Sequence, residues 1–492
     1  VERFTFGLRI AYAAVVPLVL TGSDLSIDRL VAAARAAEPV ALAEDALERM
    51  RANRAFAERV AERGDEVYGL TTGVGVRKRN RIDADELAAF NRRLVREHRT
   101  GLGAPLPADQ VRAAAILLLN QLAAGRSNVR PETAVRIAER VSAGAVPEVR
   151  ALGSTGMGDV VPLADLVAGL LADDEIAVGE ALPLIGQSSV LAAQAALAVH
   201  DARVLLDGLV ALAALDLEAY AANPSPLHPA VGEVRPYPGL VEASSRLRAL
   251  LAGTRLWDEE PRHLQAPLAF RNAAGVLGAA IDLLGFAEAL VAIELNAHQQ
   301  NPLVLEAEDR MVPVADFEMA PVAAAMDVAR LALAPCLAVQ AERSLKLLQA
   351  SGTGLTDGLE PPGDRTGHGL SEIAWPLQAI AAEARLLVQP VSAEIASSTQ
   401  AEGIEDRMTM GNLGARRLAE MADLGARVAA IGAVIACQAV DLRGVDRLGP
   451  PLADLHDRVR ALVPPLRPGD PPPLDLEPLV EGVAAGLLGG RG

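Results

Sequence analysis

The sequence predicts an all-α protein organised around a long central helical bundle, and three observations support this. Alanine and leucine dominate while aromatic residues make up only 3%, a palette suited to packed helices rather than sheets. From about residue 187 onward, long apolar stretches recur at helical spacing around 192–220, 265–298, 318–350, 372–395 and 412–443, as a bundle requires. With 492 residues, 51% hydrophobic and 22% charged, the chain can bury more than one core region.

The elements follow in order. The opening, Ile10 to Leu20, is apolar and follows Arg3 and Arg9, the outline of a secretory signal. No A-x-A-like cleavage site follows, and Thr21-Gly22-Ser23-Asp24 leads directly into a helical pattern, so it is read as part of the fold. From Ser26 to about Val67 the pattern is helical, with Ser23 or Asp24 to cap it and Pro39 to break it. Tyr68-Gly69-Leu70-Thr71-Thr72-Gly73-Val74-Gly75 holds too many glycines for a helix interior and predicts a loop whose backbone lies close to something else. The next helix places Leu87, Phe90, Leu94, Val95 and His98 on one face, so His98 points inward. An apolar helix from about Asp109 to Ala124 follows, and a second glycine-rich loop spans Gly153 to Gly158. The prolines at 464–473 mark a terminal segment of turns and a short helix. We read an active-site domain over 1–200, the bundle over 201–445 and a Pro-rich segment over 446–492 packed on the body.

Composition excludes several function classes. The net charge of -17 is spread over short alternations, which disfavours nucleic acid and gives solubility rather than a partner. Apolar runs such as Val428 to Val440 fall short of the roughly 18 residues of a membrane span and read as core helices. Cys336 and Cys437, each in an apolar stretch, suit inert buried thiols in a reducing, cytoplasmic setting. No phosphate-binding G-x-x-x-x-G-K-[ST], dinucleotide G-x-G-x-x-G after a strand, paired-cysteine zinc spacing or H-E-x-x-H occurs, so neither a cofactor nor a metal is expected.

What remains is a series of polar residues in glycine-rich or apolar settings. It comprises Tyr68-Gly69-x-x-Thr72-Gly73-Val74-Gly75, Leu94 to His98, Gly125-x-Ser127-x-Val129-Arg130-Pro131, Gly153-Ser154 with Gly158-Asp159-x-x-Pro162-Leu163, and Gln265-x-Pro267-x-x-x-Arg271. Glu294-x-Asn296, Asn301-Pro302-Leu303, Glu405-Asp406 and Cys437-Gln438-Ala439-x-Asp441-Leu442-Arg443 complete it. In this order, over nearly the whole chain, the series resembles the histidine and aromatic amino acid ammonia-lyases and aminomutases. The resemblance implies an ammonia-lyase-like fold and a homotetramer whose sites draw on more than one subunit. It also implies an elimination or amine shift through a methylidene-imidazolone electrophile cyclised from an internal Ala-Ser-Gly.

The sequence departs from the family at that electrophile. The family has five residues between Gly153-Ser154 and Asp159, and here there are four, Thr155-Gly156-Met157-Gly158. Met157 has no hydroxyl to lose, so this degenerate loop is expected to form no methylidene-imidazolone. Gly186 stands where the family has an asparagine beside the electrophile, and Leu268 stands where it has a second tyrosine.

Other site positions persist by resemblance. Tyr68 matches the catalytic base and Glu405 a site carboxylate, although Glu405 also suits a structural partner for Arg271. Arg271 matches the clamp on a substrate carboxylate, or else pairs with a protein acid. His98, a pocket residue or a satisfied core histidine, joins Gly75, Asn296 and Phe317 as substrate-binding positions. Asn296, like Asn301, also suits a scaffold cap, and Arg407, where the family often has histidine, reshapes the pocket. Three readings stand: a divergent lyase working without the electrophile on a carboxylate-bearing small molecule, an inactive homologue serving as a binding or regulatory subunit, or an ammonia-lyase with an unusual triad.

Overall fold

The computed structural model describes residues 16–363, 367–393 and 400–490. The start of the apolar opening from Ile10, and the end of the helix expected over 372–395, lie outside the described residues. Helix dominates the rest. The long helices run Ser189–Tyr220, Ala273–Glu294, Ala320–Leu347 and Gly411–Arg443, with a shorter one at Ala374–Leu386.

Local chemistry adjusts several boundaries. Ser26, not Ser23 or Asp24, caps the first helix, its hydroxyl accepting the Arg29 N–H at 3.2 Å. That helix, Ile27–Arg35, gives way to a strand at Val40–Leu42 before the next begins at Glu44. The stretch expected as one helix over 265–298 is a four-residue turn, Leu268–Arg271, followed by Ala273–Glu294. Three small two-stranded sheets also occur: Leu18–Leu20 pairs in parallel with Val40–Leu42, while Leu102–Pro105 with Arg150–Leu152 and Leu303–Leu305 with Arg310–Val312 are antiparallel. Their three- and four-residue length leaves too little alternation to read from sequence.

The described residues group into two compact units that cut across chain order. One comprises 16–194, 292–319 and 400–409, and the other 195–291, 320–363, 367–393 and 410–490. In the first, Ala108–Ala123 is buried on every side from Val111 onward, and Phe56, Val60, Val67, Leu70 and Val304 form an apolar cluster beneath the Tyr68 loop. In the second, Ala320–Leu347 and Gly411–Arg443 pack along each other. The expectation that the apolar runs are too short to span a membrane is corrected here. Among the described residues four helical stretches, Ala181–Tyr220 (the Ala181–Ile185 and Ser189–Tyr220 helices taken together), Ala273–Glu294, Ala320–Leu347 and Gly411–Arg443, are long and apolar enough by length and composition. The most apolar window of each is 89%, 33%, 61% and 83% buried, respectively.

Candidate active site

A cavity of about 490 Å³ in the first unit gathers three loops. The first carries Tyr68. Gly69 adopts φ +70°, and a Cβ there would sit 2.3 Å from Leu182 Cδ2, so only glycine lets the loop lie against the Ala181–Ile185 helix. The chain then folds back so that the Gly75 N–H donates to the Tyr68 hydroxyl at 2.9 Å. The Thr71 hydroxyl fixes the base of the loop, donating to the Asp65 carbonyl at 2.7 Å and accepting the Val67 N–H at 2.8 Å.

The second loop is the glycine-rich stretch before Asp159. Gly156 and Gly158 have φ +82° and +76°. The Gly156 N–H donates to Ser154 Oγ at 3.1 Å, and its carbonyl accepts the Thr409 hydroxyl at 2.8 Å. Met157 forms an isolated antiparallel bridge with Glu318. Buried Asp159 locks the far end: its N–H donates to the Gln187 carbonyl at 2.6 Å, and its carboxylate accepts the Leu191 N–H at 2.7 Å. Gly158 lies over the Gly186 backbone, so the sequence positions matching the electrophile and its asparagine are brought together.

The third loop supplies Glu405, Arg407 and Met408. Burial first, and the nearby Asp406 second, push the Glu405 carboxyl above the usual carboxylate range. Among the described residues it has no cationic partner. Burial also pushes the Tyr68 phenol up; the Gly75 N–H opposes this, and the negative Glu405 adds to it. Burial and the Glu405 charge thus both favour the protonated phenol.

The structure brings Tyr68, Gly75, His98, Met157, Gly158, Phe317 and Glu405 to one cavity, with Gly156 buried behind its loop. His98 closes the Leu87–Glu97 helix, its Nδ1–H donating to the Leu94 carbonyl at 2.7 Å. The Phe317 carbonyl accepts the Ser188 hydroxyl at 2.8 Å. Asn296 is not in the lining. Its amide accepts the Leu25 N–H and donates to the Leu25 carbonyl, both at 2.9 Å, and so ties the loop before the Ile27–Arg35 helix in place. Arg271 belongs to the second unit, exposed and hydrogen-bonded to Gln265. Sequence reasoning missed the apolar wall of Leu182, Ile185, Val160 and Val161. It treated Asn301, which also lines the cavity, as scaffold; its side chain does accept the Val314 N–H at 3.0 Å.

The largely helical fold holds a loop-built cavity that combines a tyrosine, a carboxylate and an apolar wall. The pattern of the aromatic amino acid lyase family matches residues 25–183 and 175–461. The chain is 33% identical over 485 residues to the histidine ammonia-lyase of Anaeromyxobacter dehalogenans (strain 2CP-C), covering 91% of this chain and 95% of that one. It is 32% identical over 499 residues to the histidine ammonia-lyase of Gloeobacter violaceus, covering 96% of each. Among solved structures it is similar to the tyrosine aminomutase of Streptomyces globisporus, with TM-score 0.90, 26% identity and coverage of 96% and 98%. It is also similar to the ergothioneine degrading enzyme ergothionase of Treponema denticola, with TM-score 0.89, 26% identity and coverage of 96% and 99%. This chain belongs to the aromatic amino acid lyase family.

Proposed function

We propose that this chain is a lyase that works without methylidene-imidazolone, eliminating a neutral amine from a cationic, carboxylate-bearing small molecule. The observation that carries the reading is the half-buried Glu405 carboxylate, which faces the same cavity as Tyr68 with no cationic partner among the described residues. A ligand cation is what such a group accepts.

The loop chemistry supports the same reading. Met157 stands between two left-handed glycines, with no hydroxyl from which a methylidene could form. At Gly186 a Cβ would meet the Leu182 carbonyl at 2.9 Å, so the family's asparagine does not fit without a shift. The residues present do not suit the electrophile, and the substrate must therefore bring its own good leaving group. A quaternary ammonium is one, because it departs as a neutral amine. Ergothioneine, which the Treponema denticola relative degrades, is a trimethylammonium betaine of this kind.

In the proposed step Tyr68 takes the proton from the carbon β to the carboxylate, the Cα–N bond breaks, and an unsaturated acid and a tertiary amine leave. A cation beside Glu405 offsets the negative charge that raises the Tyr68 pKa, so substrate binding favours the phenolate, and the Gly75 N–H stabilises it. Arg271 is the proposed carboxylate anchor in a homotetramer whose sites use more than one subunit. The apolar Ala273–Glu294 helix, with only a third of its window buried within one chain, supports association with further copies. Two fully buried thiols, pushed up to about 12 by burial, support a cytoplasmic setting.

The test is intact mass together with turnover. The mass is expected to match the unmodified sequence, with trimethylamine released from ergothioneine and no ammonia from L-histidine. A mass lower by two waters within the Thr155–Asp159 peptide, or ammonia release from L-histidine, overturns the reading. The preference for a protonated phenol favours a second reading, a binding or regulatory subunit; ligand binding without turnover selects it.

A further inference from the structure

The second unit buries a polar cluster that the proposed chemistry does not use. Asp216, on the Ser189–Tyr220 helix, and Gln340 and Arg343, on the Ala320–Leu347 helix, are almost wholly shielded from solvent. Arg343 Nε donates to Asp216 Oδ2 at 2.7 Å, and Gln340 Nε2 donates to the same oxygen at 3.0 Å. One terminal nitrogen of Arg343 donates to Gln340 Oε1 at 2.5 Å. The other reaches out of the cluster to the Ala269 carbonyl at 3.3 Å.

Ala269 lies inside the short turn Leu268–Arg271, and further contacts pin the same segment. Phe270 stacks on Tyr220 with ring centroids 4.1 Å apart, one helical turn beyond Asp216. Upstream, His263 Nε2 and Arg262 Nε donate to the Gly352 carbonyl at 2.9 and 3.2 Å. Burial pushes the Asp216 carboxyl up to about 6 even with Arg343 beside it. Holding that charge inside the protein is expensive, and apolar residues of similar volume would hold two helices together at least as well. What an apolar pair could not do is grip one particular backbone carbonyl and fix the direction in which the following residue leaves the turn.

We propose that Asp216, Gln340 and Arg343 are positioning residues for Arg271, a buried tether that sets the turn from which the carboxylate anchor projects. The proposal rests on the reading of Arg271 as that anchor. Arg271 is exposed, and its long side chain gains orientation only from a backbone that is already fixed. Loss of the tether therefore weakens carboxylate binding and leaves proton transfer at Tyr68 unaltered.

The test compares Arg271→Lys with the double variant Asp216→Leu/Arg343→Met in the full chain, using ergothioneine as the probe for calorimetric binding and for turnover. The double variant is expected to fold with a lowered melting temperature, because buried Gln340 keeps only Ser344 as a side-chain partner. KM, or Kd, should rise about tenfold while kcat stays within about twofold. Hydrogen exchange in the 262–272 peptide should quicken while the Ser189–Tyr220 helix stays protected. If Arg271→Lys weakens binding but the double variant leaves both binding and 262–272 exchange unchanged, the tether is refuted and the anchor survives. If Arg271→Lys leaves binding unchanged, or the wild type neither binds nor converts ergothioneine, the anchor reading falls and the tether's role in binding falls with it.

Discussion

Two acids, Asp327 in the second unit and Glu405 in the first, are served differently. In the second unit Asp327 accepts the N–H groups of Val391 and Ser392 at 3.1 and 3.0 Å and the Ser392 hydroxyl at 2.6 Å, and it pairs with Arg330. Arg330 in turn donates to the carbonyls of Leu387 at 2.8 Å, Gly414 at 2.9 Å, Met326 at 3.2 Å and Gln389 at 3.2 Å. These donors hold Asp327 below its ordinary carboxylate value although burial alone would raise it. Glu405 in the first unit has neither donors nor a cation among the described residues, and its pKa is raised. A saturated acid holds a shape, whereas an unsatisfied one facing a cavity is open to a ligand's cation or proton.

The largest expected effect would break the saturated side. Asp327→Ala leaves Arg330 buried without its partner and should cost about 3–5 kcal/mol in denaturant unfolding. A loss under about 1 kcal/mol would mean that the network is ornamental. On the cavity side, Tyr68→Phe should cut turnover by a factor on the order of 10² to 10⁴ with little change in ligand affinity; full turnover would reduce the loop to scaffold.

Asn296→Ala sharpens the contrast within the first unit. It removes both hydrogen bonds to Leu25 and should cost about 1–3 kcal/mol of stability. Binding of ergothioneine should be unaltered, and a selective loss of affinity would return Asn296 to the site. The smallest effect concerns pH. Turnover should rise with pH as Tyr68 loses its proton, and because the Glu405 charge raises the phenol's pKa, Glu405→Gln should move that rise to lower pH. Glu405 itself has a folded pKa above its unfolded one. Its contribution to stability is therefore present at low pH and is lost as pH climbs from the ordinary carboxylate value through the raised one. Unfolding of Glu405→Gln should lack that slope, and a shift of the activity profile to higher pH would contradict the electrostatic link.

Much of the cavity was legible because glycines mark it. Gly69, Gly156 and Gly158 adopt backbone angles that other residues rarely take, so the sequence betrays those loops without any knowledge of their neighbours. Leu182 and Ile185 carried no such signal. An apolar residue facing a cavity and one facing a core look alike in the chain, and only the fold separates them. Asn296 went the other way: an asparagine in a family motif suggests a ligand, but its partner proved to be the backbone of Leu25, 271 residues away.

The sequence by itself determined the helical character, the long helices of the bundle, the family and the loops around Tyr68 and Met157, because periodicity, glycine placement and motif order are local properties of the chain. Tertiary structure decided which polar groups are satisfied. Asp216, Asp327 and Glu405 are all acids near apolar residues in the sequence, and nothing local says that Arg343 meets the first, Arg330 and Ser392 the second, and no cation among the described residues the third. Hydrogen bonding and desolvation depend on which distant residues converge, and that convergence exists only after the chain has folded.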